Sequence, residues 1–423
     1  MTVSTIARAA MWTLCGAAIL PASQAAAQEP PGHALTLTRD ERTALQALET
    51  VARGADRAAQ DAALAAARSA AQSADARHAL AHYQLEIARA RQDRQLTAQA
   101  VDALVSSGAT ADEMPSLLAA QATRVFFEGE YPQAERLLAR AVELDPSNPA
   151  LIADYAQIKS AIAMALIRGG RRPEAQAQFQ ESVALLQRAI QLRQASGQAA
   201  PESWYKRGTA LAADYGMAPQ GVAFARGLVM AYPNAVNWRD ALHVYRLANQ
   251  PDPALDLDIR RLLRASQALS GERDYIEFAE ALGRAELAGE EKAVLEEGIA
   301  RGMLSATEPI VRQMTTANNR RATTERSGLA RARTQALAAA TGAEARTAGD
   351  SHFGFGQYAE AVELYRAALQ KGGEDPNLVN VRLGAALALA GQRTEAETAF
   401  RAVTGPRADL AAFWLLWLSR RPA

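Results

Sequence analysis

"FFEGEYPQAERLLARAVELDPSNP", residues 126 to 149, is the stretch on which the fold turns. Gly129 stands in a short polar gap between two apolar runs, and Ala134, Leu138 and Ala141 follow it three to four residues apart. Residues at that spacing share one face of an α-helix, so the stretch reads as the corner and second helix of a helical hairpin. Pro146 ends the second helix, because proline lacks the amide hydrogen that another turn requires. Other glycines decide whether this hairpin is single or repeated.

Three more glycines keep the same company. Gly129 is followed at plus five, nine and twelve by Ala134, Leu138 and Ala141, Gly170 by Ala175, Phe179 and Ser182, Gly356 by Ala361, Tyr365 and Ala368, and Gly391 by Ala396, Phe400 and Val403. Seven residues before each corner stands a small residue again: Ala122, Ala163, Gly349 and Gly384. Small side chains let two helices approach closely, and the large one fills the space beside them. The hairpin is therefore one copy of a repeated unit.

This pattern resembles the tetratricopeptide repeat, a helix-turn-helix unit of about 34 residues. "GEYPQAERLLARAVELDP" and "GQYAEAVELYRAALQKG" carry the resemblance best, and both keep the turn tyrosine, Tyr131 and Tyr358. Looser copies are "ESWYKRGTALAADYG" (202 to 216), "NWRDALHVYRLANQPDPALDLDIRRLLRA" (237 to 265), which shows no clean second helix, and "YIEFAEALGRAELAGEEKAVLEEGIARG" (275 to 302), one residue short after Gly289. About seven pairs are expected between residues 115 and 410. The resemblance implies an all-α, TPR-like α-solenoid, a right-handed superhelix of helical hairpins whose first helices form an inner wall for partners. Mapped onto this chain, the groove positions are Thr123, Phe126, Phe127, Met164, Arg168, Arg346, Asp350 and Phe353. Of Phe126 and Phe127, one is expected to pack and the other to face the groove. The family's clamp for peptide C-termini needs Lys and Asn at inner positions, where Thr123, Met164 and Asp350 stand, so that class of partner is disfavoured. "MAYPNAVNWRDAL" and "GEEKAVLEEGI", followed by a cleaner C-terminal pair, also resemble a group of exported proteobacterial repeat proteins of unassigned activity.

Composition agrees. The 423 residues are 49% hydrophobic and 22% charged, rich in helix-forming Ala, Leu, Arg, Glu and Gln, and too many for one compact core. Forty-six basic and 46 acidic residues balance, which removes any global pull toward nucleic acid. Residues 1–27 read as a signal peptide: Arg8, the apolar run "AAMWTLCGAAIL", then Ala25 and Ala27 before a cut at Gln28. "WTLC" does not fit a lipoprotein signal, and the exported chain, expected in the periplasm, would hold no cysteine and no further segment long and apolar enough to cross a membrane. Residues 28–112 read as a degenerate N-terminal helical region, 113–304 as the TPR-like array and 305–341 as a polar, Arg-rich helical connection. That connection should set apart a two-repeat C-terminal module, 342–410, capped by an aromatic helix, 411–423, which otherwise would serve as a docking helix.

Chemistry-bearing motifs are sparse. No phosphate loop, G-x-S-x-G elbow or paired cysteines occur, so no catalytic residue and no cofactor is assigned and the chain is read as no enzyme. His78 and His82 have the i, i+4 spacing of a metal pair, but Ala79 stands where a zinc protease needs Glu and no third ligand is near in sequence. They are read as a solvated helix face, with no metal, and "ELAGEEKAVLEEG" as ordinary charged surface. Arg320, Arg321, Arg326, Arg331 and Arg333, offset by Glu325 alone, form a candidate anion patch. The expected function is a non-catalytic periplasmic scaffold binding an envelope protein or peptide segment. The alternative is a glycan- or anionic-polymer-binding component of an export or envelope-assembly system.

Overall fold

A computed structural model describes residues 36 to 420. The leader expected at 1–27 lies outside the described residues. The described residues form twenty α-helices and one short 3-10 turn, and no strand. The chain divides into two compact units, at Ala200 and Pro201. This division is not at 305–341, where the polar composition places it.

The first unit consists of four hairpins: α1 (Arg39–Ala52) with α2 (Arg57–Ala70), α3 (Ala74–Arg91) with α4 (Arg94–Ser106), α5 (Met114–Phe127) with α6 (Tyr131–Leu144), and α7 (Pro149–Arg168) with α8 (Arg172–Ala195). The second unit begins with α9 (Glu202–Asp214) and α10 (Ala218–Ala231), α11 (Ala235–Asn249) and α12 (Pro253–Ala265), and α13 (Gly271–Arg284) and α14 (Ala288–Ala300). A single 30-residue helix, α15 (Pro309–Ala338), follows. Then come α16 (Gly342–Gly354) with α17 (Tyr358–Lys371), α18 (Pro376–Leu389) with α19 (Arg393–Arg401), and α20 (Ala408–Ser419).

The corner at Gly129 shows why this residue recurs. Its φ is 89°, a left-handed conformation that costs a side chain dearly and glycine little. The Glu130 amide donates to Val125 O at 2.9 Å and the Gly129 amide to Phe126 O at 3.1 Å, which satisfies carbonyls the ending helix leaves free. Gly170, Gly356 and Gly391 turn the same corner. Behind each corner the small, large, small residues are buried: Ala134, Leu138 and Ala141 are at most 1% exposed, as are Ala361, Tyr365 and Ala368. A Cβ on Gly349 would meet the Tyr365 ring at 2.8 Å, and one on Gly384 would meet Phe400 at 2.5 Å. The small residue in each first helix is thus required by the large one in the second.

Two loose copies have corners made by other residues. In the α13–α14 hairpin the left-handed residue is Glu286, φ 60°, not Gly289. Counted from Glu286, Ala279 falls at minus seven and Glu291, Leu295 and Gly298 at plus five, nine and twelve, and each is part of the buried contact. Gly289 instead accommodates the Phe355 ring, which a Cβ there would meet at 2.4 Å. In the pair at 237 to 265, Gln250 turns the corner at φ 43° and α12 is a full second helix.

Helix α15 is packed between α14 and α16. Its buried residues, Val311, Asn318, Ala322, Leu329 and Ala336, make a narrow stripe spaced by four or seven, which explains how so polar a segment folds. Its polar groups are put to use. Glu325 accepts the amide of Gly289 at 2.8 Å, capping the N-terminus of α14, and Lys371 donates to Leu337 O at 2.9 Å and to Ala339 O at the C-terminus of α15.

The final helix closes the second unit on its own beginning. Trp414 stacks on Phe400 at 5.7 Å, while Phe413 lies 6.2 Å from Trp238 and 6.0 Å from Tyr245. Trp417 Nε1 donates to Ala265 O at 3.0 Å. These rings are buried, so α20 is a core element and offers no aromatic face to a partner. In the first unit, α7 corrects another expectation: its 20 residues, with a hydropathy of 1.4, are long and apolar enough to cross a membrane. In the structure 39% of its apolar window is buried against neighbouring helices. Ile152, Ala156 and Ala163 are fully buried, and the Lys159 ammonium is paired at 2.6 Å with both Glu135 and Glu181. Burial opposes the charge on Lys159, and the bonds to Glu135 and Glu181 outweigh it, so its pKa is raised.

Candidate functional site

Helix ends in the first unit carry the aromatic candidates. Phe126 and Phe127 close α5, with ring centroids 5.5 Å apart and edge to face. Phe126 is half-buried and lies 5.5 Å from Tyr131 across the Gly129 corner. Phe127 is 79% exposed. The structure thereby separates the pair: Phe126 packs and Phe127 faces outward. Thr123 is exposed one turn earlier on α5, its hydroxyl returned to Ala119 O at 2.9 Å. In α7, which touches α5, Met164 is half-buried and Arg168 is exposed at the helix end.

In the second unit a cavity of about 460 Å³ opens between α12, α14 and α16 and the corner that precedes α17. Gly289 and Gly354 bring α14 and α16 close enough to form its wall, since a Cβ on Gly354 would meet the Glu290 amide at 2.8 Å. Phe353, 6% exposed, and Tyr358 line it edge to face, 5.4 Å apart. The Arg261 guanidinium lies over the Phe353 ring at 4.6 Å. Arg264, Lys292, Glu296, Glu297 and Arg326 stand around the opening, with Arg264 bonded to Glu297 at 2.6 Å. The result is an aromatic recess with a mixed-charge rim.

Behind the recess lies an ionic network that the sequence reading did not anticipate. Arg261 donates to Glu290 through Nη2 at 2.7 Å and Nε at 3.0 Å, and to Asp258 at 3.2 Å. Arg382 joins Asp258 at 3.0 Å to Asp350 at 2.6 Å, and Tyr365 donates its hydroxyl to Asp350 at 2.7 Å. Glu290 is 1% exposed and Glu291 3%, so the Glu-rich stretch is no ordinary charged surface. Burial disfavours the charge on Arg261, and Glu290 more than compensates, raising its pKa. Burial raises the pKa of Glu291, against the opposing pull of Arg321.

Of the groove positions expected here, only Phe353 lines the recess. Asp350 is turned inward, 3% exposed, and Arg346 is bonded to it at 2.9 Å and to Glu374 at 3.0 Å. These two serve the network and present no free group to a partner. The five arginines of α15 do not form one patch either. Arg321 is paired with Glu291 and Arg333 with Glu363, while Arg320, Arg326 and Arg331 are exposed and make no ion pair among the described residues. His78 and His82 are half-buried, and a third donor does stand beside them: Glu113 Oε1 lies 3.3 Å from His82 Nε2. It comes from the start of another hairpin, beyond the reach of a local motif search.

No family model and no curated protein matches the sequence. Solved structures do. A tetratricopeptide repeat protein from Parabacteroides merdae ATCC 43184 is 14% identical, with 73% of this chain and 100% of that one covered and a TM-score of 0.26. The P58(IPK) TPR domain is 13% identical over 84% of this chain and 99% of that chain, TM-score 0.22. The structure of Naa15/Naa10 bound to HypK-THB gives 10% identity over 87% and 63%, TM-score 0.27. The repeat type rests on the hairpins themselves, through the left-handed corner, the two capping bonds and the small-to-large contact behind them. On that geometry the chain is an all-α protein built of tetratricopeptide-type helical hairpins.

Proposed function

We propose that this chain is a non-catalytic scaffold, exported to the periplasm, that holds an envelope protein or peptide segment against the first helices of its hairpins. The observation that supports this reading is Phe127, 79% exposed at the end of α5 and resting on Phe126, which in turn packs on Tyr131. An exposed aromatic that rests edge to face on one packed ring has much apolar area to bury on contact and few rotamers to lose. Arg168 at the matching end of α7 adds a planar donor for a carboxylate. The anionic-polymer reading is weaker, because Glu291 and Glu363 neutralise two of the five guanidinium groups it needs.

Crosslinking in the native envelope followed by mass spectrometry tests the proposal, with wild type and Phe127→Glu compared. A small set of envelope proteins should be captured by wild type and depleted at least tenfold in the variant, with the melting curve unchanged. Equal capture by both chains refutes the assignment of the surface. Capture of nothing above an inert control refutes the scaffold itself.

A further inference from the structure

Three donor atoms converge on one point in the first unit. His78 and His82 are one turn apart on α3, and their Nε2 atoms lie 3.1 Å from each other. Glu113, at the entrance to α5, places Oε1 3.3 Å from His82 Nε2. One ligand atom from each of the three residues falls within 4.8 Å of the other two. A tetrahedral zinc with bonds of about 2.0 to 2.1 Å has ligand atoms about 3.3 to 3.4 Å apart, so two of these separations are close to edges of such a tetrahedron.

The surroundings orient two of the three donors. The Ser107 hydroxyl donates to Leu104 O at 3.2 Å, so its oxygen is left to accept from His78 Nδ1 at 3.1 Å. A proton on Nδ1 leaves the lone pair of His78 on Nε2, the atom aimed at His82. Glu113 is held by its other oxygen, which accepts the Thr110 amide at 3.1 Å and the Thr110 hydroxyl at 2.8 Å. Such outer bonds fix ring tautomer and carboxylate direction at metal centres. The imidazole planes are 77° apart, so they meet at a point and do not stack.

We infer that His78 Nε2, His82 Nε2 and Glu113 Oε1 bind one divalent transition-metal ion of the zinc class. Two imidazoles and one carboxylate suit Zn²⁺, Co²⁺, Ni²⁺ or Cu²⁺, and exclude the all-oxygen preference of Ca²⁺ and Mg²⁺. The His82 and Glu113 side chains are 40% and 33% exposed, so water reaches the fourth position. The ion joins α3 to the start of α5, with helix α4 lying between them in sequence.

The test uses the chain from residue 28 onward, without a histidine tag and stripped with a chelator. Titration with Zn²⁺ should show one saturable equivalent, and Co²⁺ should give the intense visible bands of a tetrahedral site. His78→Ala, His82→Ala and Glu113→Gln should each weaken Zn²⁺ binding at least tenfold, whereas His243→Ala, in the other unit, should leave it unchanged. Binding that survives His82→Ala and Glu113→Gln at wild-type strength overturns the assignment. So does the absence of a saturable equivalent, or a weak octahedral cobalt spectrum, which reads the ligand set in wild type without any variant.

Discussion

Arg382→Met probes the bond that closes the second unit. Arg382, on α18, donates to Asp258 on α12 at 3.0 Å and to Asp350 on α16 at 2.6 Å, tying together helices 124 and 32 residues away. Methionine keeps most of the volume and removes the charge. Two carboxylates, 1% and 3% exposed as residues, then lose a counter-ion in a site water does not reach. Unpairing a buried ion costs about 3 to 5 kcal/mol. The low end applies here, because Asp350 keeps Arg346 at 2.9 Å and Tyr365 at 2.7 Å, and Asp258 keeps Arg261 at 3.2 Å. A loss of about 3 kcal/mol lowers the melting temperature of a unit of this size by about 6 to 12 °C. Differential scanning calorimetry should show this in one transition only, that of residues 201–423, with the transition of the first unit unmoved. Arg382→Met combined with Asp258→Asn should recover part of the loss, since one orphaned charge is gone. A loss under about 1 kcal/mol, or no recovery in the double variant, refutes the argument that the network is a set of mutually dependent charges.

Two further predictions concern single contacts. Gly384→Ala puts a methyl group 2.5 Å from the Phe400 ring, and should destabilise the second unit by about 1 to 3 kcal/mol despite alanine's better helix propensity, as read by urea denaturation; a stabilised protein would show that the two helices are not in close contact. Glu41 accepts the amides of Ser73, Thr38 and Gln72, and the Ser73 bond first, then the Thr38 bond, pull its pKa from the ordinary 4.5 down to about 2. Its folded pKa is the lower one, so its contribution is complete above pH 4.5 and drains away as pH falls from there toward 2. Melting curves of Glu41→Gln should therefore fall less steeply with acid than wild type in that window, and parallel curves would contradict the assignment.

Much of the fold is legible because tetratricopeptide-type contacts are local. Ala122, Gly129, Ala134, Leu138 and Ala141 lie within about twenty residues of sequence, and each small-to-large contact leaves a fixed spacing behind it. Where the corner residue was not glycine the spacing lost its anchor. Glu286, three residues before Gly289, and Gln250 take the left-handed conformation that Gly129 takes, so in sequence one hairpin reads one residue short and the other lacks a clean second helix. The exposed and the packed member of the Phe126–Phe127 pair were equivalent in sequence, and a quarter-turn of helix separated them.

The sequence by itself determined the helical hairpin, its repetition and the small residues on which its packing depends, because these are set by neighbours along the chain. Tertiary structure alone decided the rest. It placed the division at 200/201, buried Asp350 and Glu290 among arginines, folded α20 onto the start of its own unit, and brought Glu113 to His78 and His82. The last three join residues separated by between about thirty and 175 positions, and charged or aromatic side chains carry no mark of a distant partner in their spacing. Only the folded chain supplies the partner.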